Sequence, residues 1–149
     1  MPRITRINTD FLLTEFQKLA LKPLMSDLIF KERTYQIIGI CMEVHKILGH
    51  GFSEIVYKDA IQYELIIRQI LYEREKQYLV SYKNVILAHK FFADFVVFEN
   101  IILEVKATEG GLCEEFTSRL INYLKVSACK VGLLVNFGRR SLEYKRFVF

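Results

Sequence analysis

The stretch His89 to Ala107, HKFFADFVVFENIILEVKA, constrains this chain more than any other. Two strongly apolar runs, rich in β-branched and aromatic residues, flank a short polar break at Glu99 and Asn100, which predicts a β-hairpin in the interior of a sheet. Three charges interrupt it: Asp94, Glu104 and Lys106. A buried strand carries a charge only where that charge is paired or used. Glu104 and Lys106 are two residues apart and therefore share a face of their strand. An acid on one strand and Glu-x-Lys on the next suit metal-dependent phosphodiester hydrolysis. The carboxylates would hold a hard divalent cation, and the lysine would sit beside the attacking water or the phosphate. The same three residues also suit a structural ion-pair cluster with no chemistry, since structural ion-pair networks mimic functional ones. Register bears on the choice. A two-residue loop at Glu99 and Asn100 would pair Phe95 with Glu104 and turn Asp94 to the opposite face, so a shared site requires an odd loop or a bulge.

At 149 residues and 52% hydrophobic, the chain suits one domain with a sizeable core. Low-complexity tracts and internal repeats, the marks of disorder or of a solenoid, are missing from the sequence. The net charge is only +4, but Lys130 to Phe149 holds five basic residues (Lys130, Arg139, Arg140, Lys145, Arg146) against the single acid Glu143. Such a segment is either a phosphate-binding footprint or ordinary solvated surface. Cys41, Cys113 and Cys129 are widely separated, and neither they nor His45, His50 and His89 show zinc-ligand spacing. Buried free thiols in a reducing cytoplasm are the simplest expectation. No apolar run approaches the roughly 18 residues of a membrane span. Asp10, Glu15 and Lys18 break up the N-terminal apolar residues, unlike a signal peptide.

Along the chain, Phe11, Leu12, Phe16, Leu19 and Ala20 predict a short amphipathic helix stopped by Pro23. A longer helix is expected from Glu32 to Leu48, with Ile37, Cys41, Val44 and Leu48 recurring at helical spacing, Ile40 and Ile47 widening the stripe, and Gly49 as its stop. His45, beside that stripe, reads as a packed, hydrogen-bonded residue. A second helix is expected from Phe52 to Ile70, buried through Val56, Ala60, Ile61, Ile67 and Ile70. Glu54 lies in its first turn, where an acid suits the helix dipole, with Tyr57 and Lys58 as its neighbours three and four residues on. Residues 71–83 alternate as a strand and turn at Lys83 and Asn84, leading into the hairpin. Cys113 to Val126 predicts a third helix through Cys113, Phe116, Leu120 and Leu124. Val131 to Val135 is a wholly apolar strand, and a last short strand is expected at Arg146 to Phe149. The order helix, helix, three strands, helix, strand implies an α/β layer with helices on both faces of the sheet.

Gly51-Phe52-Ser53-Glu54-Ile55-Val56-Tyr57, within EVHKILGHGFSEIVYKDAI and followed in order by ADFVV, ILEVKA, LINYLK and GLLVNFG, resembles the GxxExxY protein family. Those proteins are small bacterial and archaeal members of the PD-(D/E)XK nuclease superfamily. The resemblance runs from about Met25 to the C-terminus, which implies an N-terminal extension over residues 1–24 and a nuclease-like domain over 25–149. It implies a restriction-endonuclease-like α/β fold with core order αβββαβ, a central mixed sheet flanked by helices. It also implies roles: Glu54 as the acid of the core helix, Asp94 as the acid of the second core strand, Glu104 and Lys106 as the Glu-x-Lys of the third. One position departs from the pattern. The family's later helix carries Gln four residues before the Tyr of a Tyr-Leu pair, and here the Tyr is Tyr123 and that position is Arg119. Gln orients substrate or water, whereas Arg clamps a phosphate by charge.

The resemblance therefore implies a metal-dependent nuclease. Asp94, Glu104 and the backbone carbonyl of Val105 would bind Mg²⁺ or Mn²⁺, with Glu54 joining through a water or a second cation. Lys106, as a lysine between carboxylates, would stay charged and stabilise the developing oxyanion rather than act as a base. Arg119 and Tyr123, with the basic C-terminal segment, would hold the nucleic-acid backbone, and no sequence-reading element is evident. Two rivals remain: a catalytically idle nuclease-like scaffold that binds nucleic acid or protein, and a small-molecule hydrolase acting on mononucleotides at the same metal site.

Overall fold

The computed structural model describes residues 14–149. The elements follow in the order α1 (Glu15–Leu48), α2 (Glu54–Ile67), β1 (Tyr72–Tyr82), β2 (Val85–Val97), β3 (Ile101–Lys106), α3 (Glu114–Val126), β4 (Val131–Asn136) and β5 (Glu143–Val148). The five strands form one sheet in sequence order, β1-β2-β3-β4-β5. The β3–β4 pair is parallel, and the other three are antiparallel. This mixed α/β sheet with three helices is consistent with the expected nuclease-like fold. The parallel pair needs a crossover, and α3 supplies it. Among the described residues no helix is long and apolar enough to cross a membrane.

Alternation along the central strands divides the core into two layers. Val96, Ile102 and Leu134 pack with Leu120, Tyr123 and Leu124 of α3. Gly132 lies on the same face, where an added Cβ would meet Leu120 and Leu124 at 3.0 Å. On the other face Phe137 stacks on Tyr57 of α2 at 4.6 Å, and Phe95 lies against Tyr72, whose hydroxyl meets Gln62 of α2. The buried face of α2 is Tyr57, Lys58, Ile61 and Leu65. Of the face expected from periodicity, Ile61 is buried, Val56, Ala60 and Ile70 are half-buried, and Ile67 is exposed. The packing turns the helix by about one residue, because the large Tyr57 ring fills the space against Phe137.

The chain divides between Glu32 and Arg33. In the first unit residues 15–32 form the leading part of α1, and Phe11 and Leu12 of the expected first helix lie outside the described residues. Pro23 does not stop this helix but sits inside it. Its ring removes one backbone donor, yet Leu, Ala, Lys, Met and Glu on either side are strong helix formers, and Ser26 Oγ donates to the Pro23 carbonyl at 2.7 Å. In the second unit, α1 buries Thr34, Ile37, Ile38, Ile40, Cys41 and Val44. Ile47, expected on this stripe, is exposed.

The Gly-x-x-Glu-x-x-Tyr segment is the hinge between α1 and α2. Gly49 closes α1 with a left-handed φ of 69° and donates to the His45 carbonyl at 2.8 Å. The Tyr57 hydroxyl then donates to the Gly49 carbonyl at 2.7 Å and accepts from the Phe52 N–H at 3.3 Å. The motif tyrosine thus pins the turn that aims the first residues of α2. His45 is a packed, hydrogen-bonded residue, with Nε2 2.8 Å from the Arg139 carbonyl. Cys41 and Cys129 are buried as expected, and burial raises the Cys41 pKa to about 12. Cys113 is exposed.

Candidate active site

The hairpin between β2 and β3 sets the two strand acids. Its ladder pairs Phe95 with Leu103, Val96 with Ile102 and Val97 with Ile101, so the loop is the three residues Phe98, Glu99 and Asn100. This is the odd loop that a shared site demands. The cost is local: Phe98 and Glu99 take φ of 53° and 65°, a region that L-residues rarely adopt. Surrounding bonds hold the loop there. The Phe98 N–H donates to the Leu71 carbonyl at 2.9 Å, the Asn100 carbonyl accepts from Lys130 and Val131, and Arg33 lies 4.9 Å over the Phe98 ring.

Continued by one step, the same register puts Asp94 opposite Glu104, and opposed residues share a face. The regular ladder ends here and the side chains replace it. The Asp94 N–H donates to Glu104 Oε1 at 2.9 Å, and the Val105 N–H donates to Asp94 Oδ2 at 2.8 Å. Both acids are nearly inaccessible, Asp94 at 7% and Glu104 at 4% exposure. Burial, with the Asp94 charge beside it, pushes the Glu104 pKa up to about 8. No described residue hydrogen-bonds Oε2 of Glu104.

The first turns of α2 bring two groups, Glu54 and, one turn later, Lys58. Burial raises the Glu54 pKa and the Lys106 charge opposes that rise. Lys58 is the residue that sequence reasoning overlooked. Only 7% exposed, it donates from Nζ to Asp94 Oδ1 at 2.8 Å and to Glu75 Oε1 at 2.6 Å. Burial alone would lower its pKa, but the bonds to these two carboxylates outweigh that and raise it. The lysine bonded between two carboxylates, Asp94 and Glu75, is thus Lys58 and not Lys106. The Lys106 ammonium lies 4.9 Å over the Phe116 ring of α3. The spacing of four residues between Glu54 and Lys58 was the available signal.

Glu54, Asp94, Glu104, Lys106, Arg119 and Tyr123 line one cleft of about 310 Å³. All six side chains expected at the site are therefore brought together, from α2, β2, β3 and α3. His89, Lys90, Phe91 and Phe92 complete its wall. Tyr123 is 5% exposed, and burial, with Glu104 nearby, raises its pKa. None of the five basic residues from Lys130 onward lines the cleft. Arg139 is occupied structurally, donating to the Glu109 carbonyl at 3.0 Å and to Glu143 at 3.4 Å.

The donor chemistry fits a hard cation. Two carboxylates face each other, burial and then the Asp94 charge push Glu104 towards protonation, and a cation would offset both effects. The Lys106 carbonyl accepts from the Phe137 N–H on the β4 side. Backbone groups alternate sides along a strand, so the Val105 carbonyl is directed with its N–H to the β2 side. Among the described residues, no three His, Cys, Asp or Glu side chains converge closely enough to form a ready-made metal cage. Lys58, bonded to Asp94, occupies one of the oxygens that such a cage would use.

A sequence profile of the PD-(D/E)XK nuclease superfamily matches residues 31–147. Among solved structures, the crystal structure of SSO0001 superposes with a TM-score of 0.52 at 18% identity, covering 62% of this chain and 48% of that protein. The matched region thus spans about half of that protein's length, and at this identity the likeness concerns the fold alone. No curated protein matches the chain significantly.

Proposed function

The chain belongs to the PD-(D/E)XK nuclease superfamily, and from that membership we propose that its cleft hydrolyses phosphodiester bonds of nucleic acid with the help of Mg²⁺ or Mn²⁺. The observation that carries the reading is the meeting of Glu54, Asp94, Glu104 and Lys106, drawn from three separate elements, in one polar cleft. Asp94, Glu104 and the Val105 carbonyl would hold the cation, with Glu54 at the edge of the set. The chemistry a cation supplies there is acidification of water and neutralisation of phosphate charge.

The remaining steps belong to the chain's own residues. Lys106 carries its charge on the Glu104 face of β3, where it stabilises negative charge that grows on the phosphate. Arg119 is exposed at the cleft and offers a planar, bidentate grip on a phosphate. Tyr123 presents a hydroxyl that its raised pKa keeps protonated as a donor. Nucleic acid also suits the cleft wall. From Lys76 to Ala93 the β1–β2 ribbon holds no acid, while Lys83 and Lys90 lie on it, a pattern that attracts a polyanion.

The scaffold reading draws on the Lys58–Asp94 pair, which satisfies Asp94 without any metal. A cleavage assay over single-stranded and duplex DNA and RNA, with Mg²⁺, Mn²⁺ or EDTA, separates the two. We expect slow cleavage that EDTA stops and that Asp94→Ala, Glu104→Ala and Lys106→Ala each abolish. Lys106→Ala should retain part of the Mn²⁺ affinity seen by calorimetry, and the two acid variants should lose it. A wild-type protein that neither binds Mn²⁺ nor cleaves any of these substrates would establish the scaffold reading.

A further inference from the structure

One ammonium serves two carboxylates of very different surroundings. Lys58 Nζ is 2.8 Å from Asp94 Oδ1 and 2.6 Å from Glu75 Oε1. Both Asp94 oxygens are already engaged, Oδ1 by Lys58 and Oδ2 by the Val105 N–H. A divalent cation engaging Asp94 would share that carboxylate with the Lys58 charge, and like charges that close repel strongly in a dry site. Glu75 differs from Asp94 in two respects. Its side chain is 49% exposed against 10% for Asp94. Its backbone is also unusual: φ is 52° in the middle of β1, and the ladder passes from Arg74–Phe95 to Lys76–Ala93 with no pairing at Glu75. A left-handed, non-glycine residue inside a strand is strained and persists where the surroundings impose it. Here that conformation accompanies a carboxylate held against Lys58, on the strand next to Asp94.

We infer that Lys58 is a built-in competitor for the cation seat at Asp94, and that Glu75 is the seat onto which its ammonium withdraws when a divalent cation engages Asp94. The inference rests on the nuclease reading above. The exchange keeps one of two existing ion pairs throughout, so the ammonium is never left unpaired in a buried site. It also moves that charge from the drier carboxylate to the wetter one. Lys58 and Glu75 are thus positioning residues, acting on metal entry through Asp94 and not on the phosphate.

The test is Mn²⁺ titration by calorimetry of the full chain, its Lys58→Met and Glu75→Gln variants, and the double variant. Competition predicts opposite signs: Lys58→Met binds Mn²⁺ tighter by about tenfold, and Glu75→Gln, which denies Lys58 its alternative seat, binds weaker by about the same factor. In the Lys58→Met background, Glu75→Gln should have no further effect. A merely structural pair predicts weaker binding or none in both single variants. If the wild type binds Mn²⁺ and a folded Lys58→Met binds no tighter, the exchange is wrong and the nuclease reading stands. If Lys58→Met fails to fold, Lys58→Gln, which can still donate to Asp94 without the charge, decides: tighter Mn²⁺ binding supports the exchange, and unchanged or weaker binding overturns it. If neither the wild type nor any variant binds Mn²⁺, the nuclease reading and the exchange fall together.

Discussion

Glu104 and Gly138 show how much single residues carry here. Burial beside Asp94 moves Glu104 from the ordinary 4.5 up to about 8. The folded state therefore binds the Glu104 proton more tightly than the unfolded chain does. Its stabilising contribution is complete below the ordinary carboxylate range and is lost as pH rises through about 8. In EDTA, the melting temperature should fall across that window. Glu104→Gln, whose amide oxygen can still accept the Asp94 N–H, should remove the slope and leave the variant more stable than wild type above pH 8. An identical slope in the variant would place its origin elsewhere. Gly138 has a purely steric role. A Cβ there would lie 2.3 Å from the Thr108 N and 2.4 Å from its carbonyl carbon and oxygen, where Asn136 clamps Thr108 through both its amide groups. Gly138→Ala should cost about 1–3 kcal/mol in urea denaturation, as overpacking does, and unchanged stability would mean that this crossing is loose.

At the scale of elements, what was legible follows periodicity, and what was not follows contacts between distant segments. The hairpin, the apolar β4 and the three core helices are readable because apolar residues repeat with a period set by their own strand or helix. The requirement for an odd loop was readable too, since Asp94 and Glu104 are separated along a single hairpin. The Lys58–Glu75 pair was not. A lysine on an amphipathic helix ordinarily reads as solvated, and the place of Glu75 depends on its irregular pairing with β2. The same limit explains the basic C-terminal segment, whose charges are clear in sequence although Arg139 is tied to the Glu109 carbonyl and Glu143. The loop itself offers a test. Glu99 holds φ of 65° for the sake of register, and Gly tolerates that region without a Cβ penalty. Glu99→Gly should hold or raise stability, by up to about 1 kcal/mol in urea denaturation. A clear loss would mean that the left-handed loop is not the native one.

For the whole molecule, the question is how much of the chain the cleft requires. Every residue lining the cleft lies between Glu54 and Tyr123, and the superfamily profile begins at residue 31. The division between Glu32 and Arg33 falls close to that start, and the buried residues of α1 run from Thr34 to Val44. Sequence resemblance suggested a boundary near Met25, ahead of both. A chain beginning at Met25 would keep residues 25–48 of α1, well over the three to four turns of an average helix, and would discard Pro23 with the one backbone donor it removes. We therefore expect the Met25–Phe149 chain to unfold cooperatively within a few degrees of the full chain and to bind Mn²⁺ with the same affinity. The two readouts separate two ways of being wrong. Loss of cooperative melting would mean that residues 1–24 belong to the folding unit. A normal melt with weakened Mn²⁺ binding would mean that they act on the cleft itself.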